Sequence, residues 1–248
     1  IITEKPRVSL RIAQALAEDK FSTKKHGKVS YYVLKRGKKN IVIAPAVGHV
    51  FTLKHRVGKK GYPIFEVRWI PTYEASKSAA FAKQYVDTLK FLAKHASSYI
   101  SACDYDIEGE LIGYNVLKFI CGDDAVQKAK RMKFSALTKE ELTNSYEHAL
   151  PHLDFNLADS GISRHILDWY WGMNTSRALS HAYKTATSSY LTLSAGRVQT
   201  PTLKILDDRE QEIKNFKPLP FWVIIALLKT KEQDVLALHE KEKFFNKA

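Results

Sequence analysis

The sequence is poor in cysteine and contains no long apolar run. Its two cysteines, Cys103 and Cys121, are too few for a disulfide framework or a four-ligand zinc site, and their apolar neighbours predict buried thiols. The longest purely apolar run, from Phe221 to Leu228, is far shorter than the roughly eighteen residues that a membrane-spanning helix needs. No secretory leader pattern precedes the first predicted strand, so we expect a cytoplasmic protein with no membrane partner.

Negative charge is scarce as well. The chain has 39 Lys and Arg against 26 Asp and Glu, which gives a formal net charge of +13. Each basic cluster taken singly is typical of a solvated loop, but the four together favour a polyanionic partner, nucleic acid first. The clusters are Lys24, Lys25 and Lys28; Arg36, Lys38 and Lys39; Lys54, Arg56, Lys59 and Lys60; and Lys128, Lys130, Arg131 and Lys133.

Strand-like and helix-like patterns alternate over residues 1–150. The pattern predicts strands at 1–2, 29–34, 40–44, 98–104 and 130–134. It predicts helices around 6–16, 76–94, 108–120 and 139–149, the first entered by Pro6 and the last capped by Thr138. Such alternation is typical of an α/β fold with a mostly parallel, Rossmann-like sheet.

The pattern changes after Pro151. Residues 155–183 predict a helical region interrupted by Gly161 and Gly172, and a polar loop then leads into the string LSAGRVQTPTL. Two apolar strands flank a turn at 231–234, and because a lone hairpin is marginal in water we expect the start of a larger β element that this chain does not finish. The expected domains are therefore an α/β domain over 1–150, a helical domain over 151–217 and an incomplete β domain over 218–248.

Four carboxylates fall within the stretch CDYDIEGE, which begins at Cys103. Asp104 and Asp106 stand two residues apart, so a strand that persists to Asp106 directs both side chains to one face at its carboxyl end. Glu108 opens the following helix. Glu4 lies just past the first strand, and it reaches the same crevice if the two strands are neighbours.

This acidic cluster needs a compensating cation, because ionised carboxylates close together repel one another. Mg²⁺ suits hard oxygen ligands, and Lys5 offers a second positive charge nearby. An alternative is that the acids merely favour a helix start, which accounts for Glu108 and Glu110 but not for two aspartates directly after an apolar run. The magnesium ligands that we expect are Glu4, Asp104, Asp106 and Glu108.

These motifs carry a resemblance to a known family. Glu4-Lys5 after a strand, with DYDIEGE about one hundred residues later, resembles the Toprim domain of type IA and type II topoisomerases, bacterial primases and some nucleases. The string LSAGRVQTPTL is similar to a motif of type IA DNA topoisomerases, and so is Arg164-x-x-x-Asp168 followed by GMNTSRAL from Gly172. The wording CDYDIEGELIGYN is most similar to the archaeal topoisomerase III-like branch, and the resemblance covers essentially the whole chain.

The resemblance implies a chemistry. In this family a tyrosine attacks single-stranded DNA to form a 5′-phosphotyrosyl link, and the reaction later reverses. Glu4 would then donate a proton to the leaving 3′-oxygen, Lys5 would hold the scissile phosphate, and Mg²⁺ on the acids would position the phosphate or the 3′ end. The residues expected to line the single-strand groove are His49, Arg164, Asp168, Arg177, Ser194, Gly196, Arg197, Gln199 and Thr200.

The string LSAGRVQTPTL also has a physical interpretation of its own. Thr200 as a cap and Pro201 in the first turn predict a helix start whose N–H groups face an anion. Gly196 lets backbone approach a phosphate closely, and Arg197 adds a charged donor. An ordinary capped connection with one surface arginine explains the same string equally well on physical grounds alone.

The sequence departs from the family in two places. Ile107 stands where bacterial members commonly have arginine, which removes one cation from the acidic cluster. None of the twelve tyrosines lies in the Tyr-Pro-Arg-Thr setting of the family's nucleophile, which we expect in a domain after residue 248. The chain alone is therefore expected to bind single-stranded DNA and a divalent ion at the nucleoid without relaxing supercoils.

Two alternatives stay open. A Toprim nuclease or primase would use the same acids for direct hydrolysis or nucleotide transfer, although LSAGRVQTPTL argues against it. A DNA-binding subunit of a split topoisomerase would need the remaining topoisomerase domains, with the tyrosine, as a separate chain.

Overall fold

The computed structural model describes residues 1–56 and 61–246, and its centre is a six-stranded sheet. The strand order is β2-β3-β4-β1-β7-β8, in which β4, β1, β7 and β8 run parallel and β2, β3 and β4 antiparallel. These strands are β1 Ile2–Thr3, β2 Phe21–His26, β3 Val29–Arg36, β4 Lys39–Pro45, β7 Ile100–Ser101 and β8 Lys130–Arg131. The α/β class with a mostly parallel central sheet is thereby confirmed, and β2 is a strand that the sequence pattern did not predict.

Helices cover both faces of the sheet. One apolar cluster joins α1 (Pro6–Leu16) and α6 (Lys139–Glu147) to the sheet, and another joins α3 (Ala82–Ala93), α4 (Ile107–Val116) and α5 (Asp123–Lys128). Pro6 stands in the first turn of α1, and Thr138 caps α6 by accepting from the Glu141 N–H, as the sequence predicted. Cys103 is buried as predicted, and this burial raises the pKa of its thiol to about 12, whereas Cys121 is only partly buried.

Three predicted elements differ from the structure. The strand expected over 98–104 ends at Ser101, because the chain turns there to enter α4. The strand expected over 130–134 is only Lys130–Arg131. The helix expected over 76–94 is divided into a 3-10 turn, Lys77–Ala79, and α3, and a short helix α2 (Thr72–Ala75) precedes them.

Helix α7, Phe155–Thr187, is continuous through Gly161 and Gly172, so the predicted interruption is wrong. A Cβ atom at Gly161 would lie 3.0 Å from the Ile107 carbonyl oxygen and 3.0 Å from the Leu111 Cβ. Gly161 therefore permits the close approach of α7 to α4 rather than a break. The loop after α7 returns along it, where Leu193 and Ala195 donate their N–H groups to Ser180 and Ser176 at 2.9 Å.

A separate antiparallel pair of strands, β5 (Phe51–His55) and β6 (Val67–Pro71), lies between β4 and α2 in the chain. The segment before β6 is tied to α7, because Asn174 exchanges two hydrogen bonds with the backbone of Ile64 at 2.7 and 2.9 Å. Two members of the third basic cluster, Lys59 and Lys60, lie outside the described residues.

The chain forms two compact units, residues 1–197 and 198–248. The second unit contains α8 (Gln199–Asn215) and a hairpin of β9 (Ile225–Lys229) and β10 (Asp234–Leu238). Helix α8 begins at Gln199 with Val198 as its cap, so the predicted capping role of Thr200 is wrong. Proline is tolerated throughout a first turn, where N–H groups lack helical partners, and Pro201 therefore does not fix the first residue.

Across the described residues, we find no helix with the length and apolar character required to cross a membrane.

Candidate functional site

The end of β1 and the end of β7 meet at one edge of the sheet. Ile2 lies opposite Ser101 in parallel register, so the residues that follow the two strands come together. Lys5 Nζ lies 3.0 Å from Glu4 Oε1 and 3.0 Å from Asp104 Oδ2. These hydrogen bonds, to Asp104 and then to Glu4, raise the pKa of Lys5 above its ordinary value. The structure thus places two carboxylates and one ammonium group in a single contact.

Asp106 reaches this edge differently from the sequence expectation. Because β7 ends at Ser101, Asp104 and Asp106 do not share the face of a strand, and that part of the prediction is wrong. Asp106 is instead the cap of α4, where its Oδ1 accepts from the Gly109 N–H at 2.7 Å, and its side chain is exposed. A Cβ atom on Gly109 would overlap the Asp104 carbonyl oxygen. The glycine between the two glutamates therefore has a steric reason.

Glu110 does not belong to the open acidic site. It forms a fully buried ion pair with Arg131, at 2.6 Å between Oε2 and Nε. Arg131 also donates to the carbonyl oxygens of Cys103 and Asp104, both at 2.8 Å. The pair therefore fixes the loop that carries Asp104. The assignment of Arg131 to a basic nucleic-acid surface is wrong, since its side chain is completely inaccessible.

Glu108 is the centre of a different cluster. His49 Nε2 and His165 Nε2 each lie 2.9 Å from its Oε2, and Arg164 Nη1 lies 3.1 Å from its Oε1. Burial raises the pKa of Glu108, but the hydrogen bond from His165 and the neighbouring positive charges outweigh it and lower the pKa below its ordinary value. These three partners come from α7 and from the loop after β4.

The loop after β4 directs His49 toward Glu108 through an unusual backbone. Val47 has φ of 65° and Gly48 has φ of 75°, and the Gly48 N–H donates to the Glu4 carbonyl oxygen at 3.0 Å. A β-branched residue rarely adopts this left-handed conformation, so the hydrogen bond to Glu4 stabilises a strained turn. Burial, and next the charge of His165, lowers the pKa of His49.

Ion pairs continue from Glu108 along α7. Arg164 Nε lies 3.9 Å from Asp168 Oδ2 one turn later. Arg197 then pairs with both oxygens of Asp168, at 2.7 and 3.2 Å. The structure thus brings together Arg164, Asp168 and Arg197, three of the residues expected in the groove, beside Glu108.

A groove of about 740 Å³ lies further along α7. Arg177 lines it and donates to the Gly61 carbonyl oxygen at 3.0 Å, and Ser194 lines the same groove from the returning loop. The exposed rings of Tyr62 and Tyr190 also face it. Gly196 follows in the same loop, whereas Gln199 and Thr200 begin α8 in the second unit.

His165 is not among the site residues that the sequence predicts. The sequence gives little indication of its role. His165 directly follows Arg164 in a helix, and the spacing of apolar residues in this helix does not define a buried face. Only the packing of α7 on α4 through Gly161 places its ring beside Glu108.

Two family models of known proteins match successive parts of the chain. Residues 1–137 match the family model of the Toprim domain, and residues 152–248 match a family model described as DNA topoisomerase. The chain is 48% identical over 245 residues to DNA topoisomerase 1 of Pyrococcus horikoshii, covering 99% of this chain and 36% of that protein. It is 49% identical over 246 residues to DNA topoisomerase 1 of Pyrococcus furiosus, covering 99% of this chain and 23% of that protein. The chain thus spans about a quarter to a third of these relatives.

Proposed function

Because the chain belongs to the type IA DNA topoisomerase family, with a Toprim domain followed by a DNA topoisomerase segment, we propose that it provides the acid and metal centre of an enzyme that cleaves and rejoins single-stranded DNA. The link formed during cleavage is a 5′-phosphotyrosine. The observation that carries this proposal is the contact of Glu4 and Asp104 with the single ammonium group of Lys5. We further propose that the protein acts on chromosomal DNA at the nucleoid, in the cytoplasm.

Toprim domains bind a divalent metal ion, and the residues at this edge suit one. Glu4 and Asp104 already share a cation in Lys5, and the exposed Asp106 side chain follows closely in sequence. All three offer hard carboxylate oxygens, which Mg²⁺ prefers, and Glu108 is a further carboxylate in the next turn. When bound, Mg²⁺ would supply charge that positions a phosphate or a 3′ end. We propose Glu4, Asp104, Asp106 and Glu108 as its ligands.

The proposed reaction needs a proton donor and a phosphate clamp. Glu4 is proposed to donate a proton to the leaving 3′-oxygen during cleavage and to accept one during rejoining. Lys5, which is more than half exposed, is proposed to hold the scissile phosphate and to stabilise the charge that develops on it. The raised pKa of Lys5 keeps its ammonium charged throughout the neutral range.

We propose that the single-strand groove follows α7 and the returning loop. Arg164, Asp168, Arg197, Arg177 and Ser194 lie in this part of the first unit, where cations and hydroxyls can contact a sugar-phosphate backbone. The exposed tyrosines of the groove offer flat surfaces for base stacking. His49 is proposed to contribute through Glu108, and Gly196 through the backbone of the loop. Gln199 and Thr200, at the start of α8 in the second unit, are proposed DNA contacts of that unit.

The attacking tyrosine is proposed to come from residues outside these 248. None of the twelve tyrosines has the Tyr-Pro-Arg-Thr setting that the family resemblance implies. The remaining topoisomerase domains would bring it, either in the same polypeptide or as a separate chain. The chain by itself is therefore expected to bind DNA without changing its topology.

Fluorescence anisotropy with a labelled oligonucleotide tests this proposal. We expect the purified chain to bind single-stranded DNA more tightly than duplex DNA, with an affinity that falls as salt rises. Arg177→Ala and Arg197→Ala should each weaken binding and reduce the slope of log affinity against log salt by about 0.7, the value for one lost phosphate contact on a single strand. Arg11→Ala, on the exposed side of α1, is the matched control and should leave both quantities unchanged.

Two results would count against the proposal. The first is equal or tighter binding of duplex DNA together with arginine variants that behave like Arg11→Ala. This result would contradict the proposed single-strand groove. Metal-dependent nicking of the oligonucleotide without a covalent protein adduct would instead favour the nuclease alternative.

A further inference from the structure

We infer that His49, Glu108 and His165 form a binding site for a divalent transition-metal ion, for which Zn²⁺ is the representative. Glu108 is shared with the carboxylates proposed to hold Mg²⁺, and the two imidazole nitrogens give this site a different ligand chemistry. The inference rests on side-chain geometry within residues 1–197 and needs neither DNA nor the proposed reaction.

The three ligand atoms already converge. They all lie within 4.8 Å of one another, and both Nε2 atoms lie 2.9 Å from the same carboxylate oxygen. Zn²⁺ binds histidine nitrogen and carboxylate oxygen at about 2.0 to 2.2 Å, which places ligand atoms about 3 to 3.5 Å apart. Small side-chain rotations therefore suffice to admit an ion among the three.

The ligand types select the class of metal. Imidazole nitrogens suit zinc and other first-row transition metals, whereas Mg²⁺ prefers an all-oxygen shell. Two histidines and one carboxylate form a set that leaves the fourth position of a tetrahedral ion to water or another ligand. Each of the three side chains retains between 28% and 37% exposure, so an ion can enter from solvent.

The surrounding structure holds the ligands in place. Arg164 binds the other oxygen of Glu108, which turns Oε2 toward the two imidazoles. Gly161, one turn before His165, brings α7 against α4, and the Gly48 N–H anchors the loop that carries His49. The Trp69 ring lies 5.8 Å from the His165 ring and forms an apolar wall beside it. Three separate elements thus present one preformed set of donors.

Metal titration of the chelator-treated 248-residue chain tests the inference. Co²⁺ serves as the spectroscopic probe, because its visible absorption reports the number and type of its ligands, and Zn²⁺ is then added to displace it. We expect one ion per chain with an absorption typical of mixed nitrogen and oxygen ligands. His49→Ala, His165→Ala and Glu108→Gln should each weaken binding by at least about tenfold, since each removes a direct ligand.

Three further variants give the controls. His148→Ala removes an exposed histidine at the end of α6 and should retain full affinity. Asp104→Asn should also retain it, because Asp104 belongs to the proposed magnesium site and is not a ligand of this one. His165→Gln, which keeps a polar side chain of similar size, guards against a loss caused by misfolding and should bind as weakly as His165→Ala.

Several outcomes would overturn the inference. The first is the absence of a Co²⁺ absorption band in the unsubstituted chain. Equal affinities of the His49, His165 and His148 variants would show that the histidines are not ligands. Displacement of Co²⁺ from the Asp104→Asn variant by Mg²⁺ at millimolar concentration would show an oxygen-ligand site instead, because this variant lacks a proposed magnesium ligand. None of these results depends on DNA binding, so the proposed function can fail or hold separately.

Discussion

Neighbouring glutamates of one helix have different environments at the residue scale. Glu108 is partly exposed and contacts two histidines and an arginine, whereas Glu110, two residues later, is fully buried against Arg131. A sequence in which every second residue is acidic does not distinguish them. The distinction arises because Glu110 turns inward beneath the Asp104 loop, where Arg131 donates to two of its carbonyl oxygens.

Replacing Glu110 tests this structural role. Glu110→Gln leaves the buried Arg131 charge without a counter-charge, so we expect the free energy of unfolding to fall by about 3 to 5 kcal/mol. Glu147→Gln is the matched control, because Glu147 pairs with Arg36 at the surface and should change the stability by less than about 1 kcal/mol. Urea denaturation followed by circular dichroism measures both. Equal losses in the two variants would contradict the assignment.

The approach of Glu4 and Asp104 to the same edge of the sheet could be anticipated from sequence, because each acid follows a short apolar strand. The contacts of Glu108 could not. They depend on the positive φ angles of Val47 and Gly48, and a valine in the sequence does not predict a positive φ. The role of Arg131 was hidden for a similar reason, since it stands in a basic run and only the tertiary structure buries it.

At the scale of elements, glycines set the distances between helices and their neighbours. Gly109 brings the first turn of α4 against the Asp104 backbone, and Gly161 brings α7 against α4. Sequence patterns predicted the elements with a strong period or cap. The bounds of α1 agree with the prediction, and α6 begins at the predicted residue but ends at Glu147, before the predicted end at 149. The patterns failed where a glycine has a packing role. The sequence alone does not show whether a glycine interrupts a helix or permits a close contact with a neighbouring one.

Two alanine substitutions separate these meanings of glycine. Gly109→Ala places a Cβ atom on the Asp104 carbonyl oxygen, so we expect a loss of about 1 to 3 kcal/mol in the free energy of unfolding. Gly172→Ala meets only the Ala195 carbonyl oxygen at 3.4 Å, an ordinary contact, and should be neutral or stabilise α7 by up to about 1 kcal/mol. Thermal unfolding of both variants measures the difference. A Gly109→Ala chain as stable as Gly172→Ala would contradict the steric explanation.

At the scale of the whole molecule, the two units differ in the number of apolar side chains that they bury. The first unit contains both apolar clusters, whereas no side chain of α8 is buried. The sequence predicted a helical domain and an incomplete β domain after residue 150, and these boundaries stay a prediction. Helix α7 is the reason that the first unit extends beyond 150, because it packs on α4 through Gly161.

The net charge of +13 also acts at this scale. Part of the excess is compensated locally, as in the pairing of Arg197 with Asp168 and of Lys5 with two acids. A negatively charged strand that binds along α7 would compete for these cations. Because these ion pairs are exposed and weakened by salt, breaking them costs little free energy.

The most direct test of the central claim is whether the ion and the DNA strand meet. Mn²⁺ can replace Mg²⁺ as a paramagnetic probe. Phosphorus NMR of a single-stranded oligonucleotide bound to the chain then reports the distance between Mn²⁺ and the phosphates. We predict strong broadening of the bound phosphates with His165→Ala, which lacks one ligand of the histidine site, and a loss of this broadening when Asp104→Asn is added to it. An oligonucleotide that binds with equal broadening in this double variant, or with none in His165→Ala, would contradict the account.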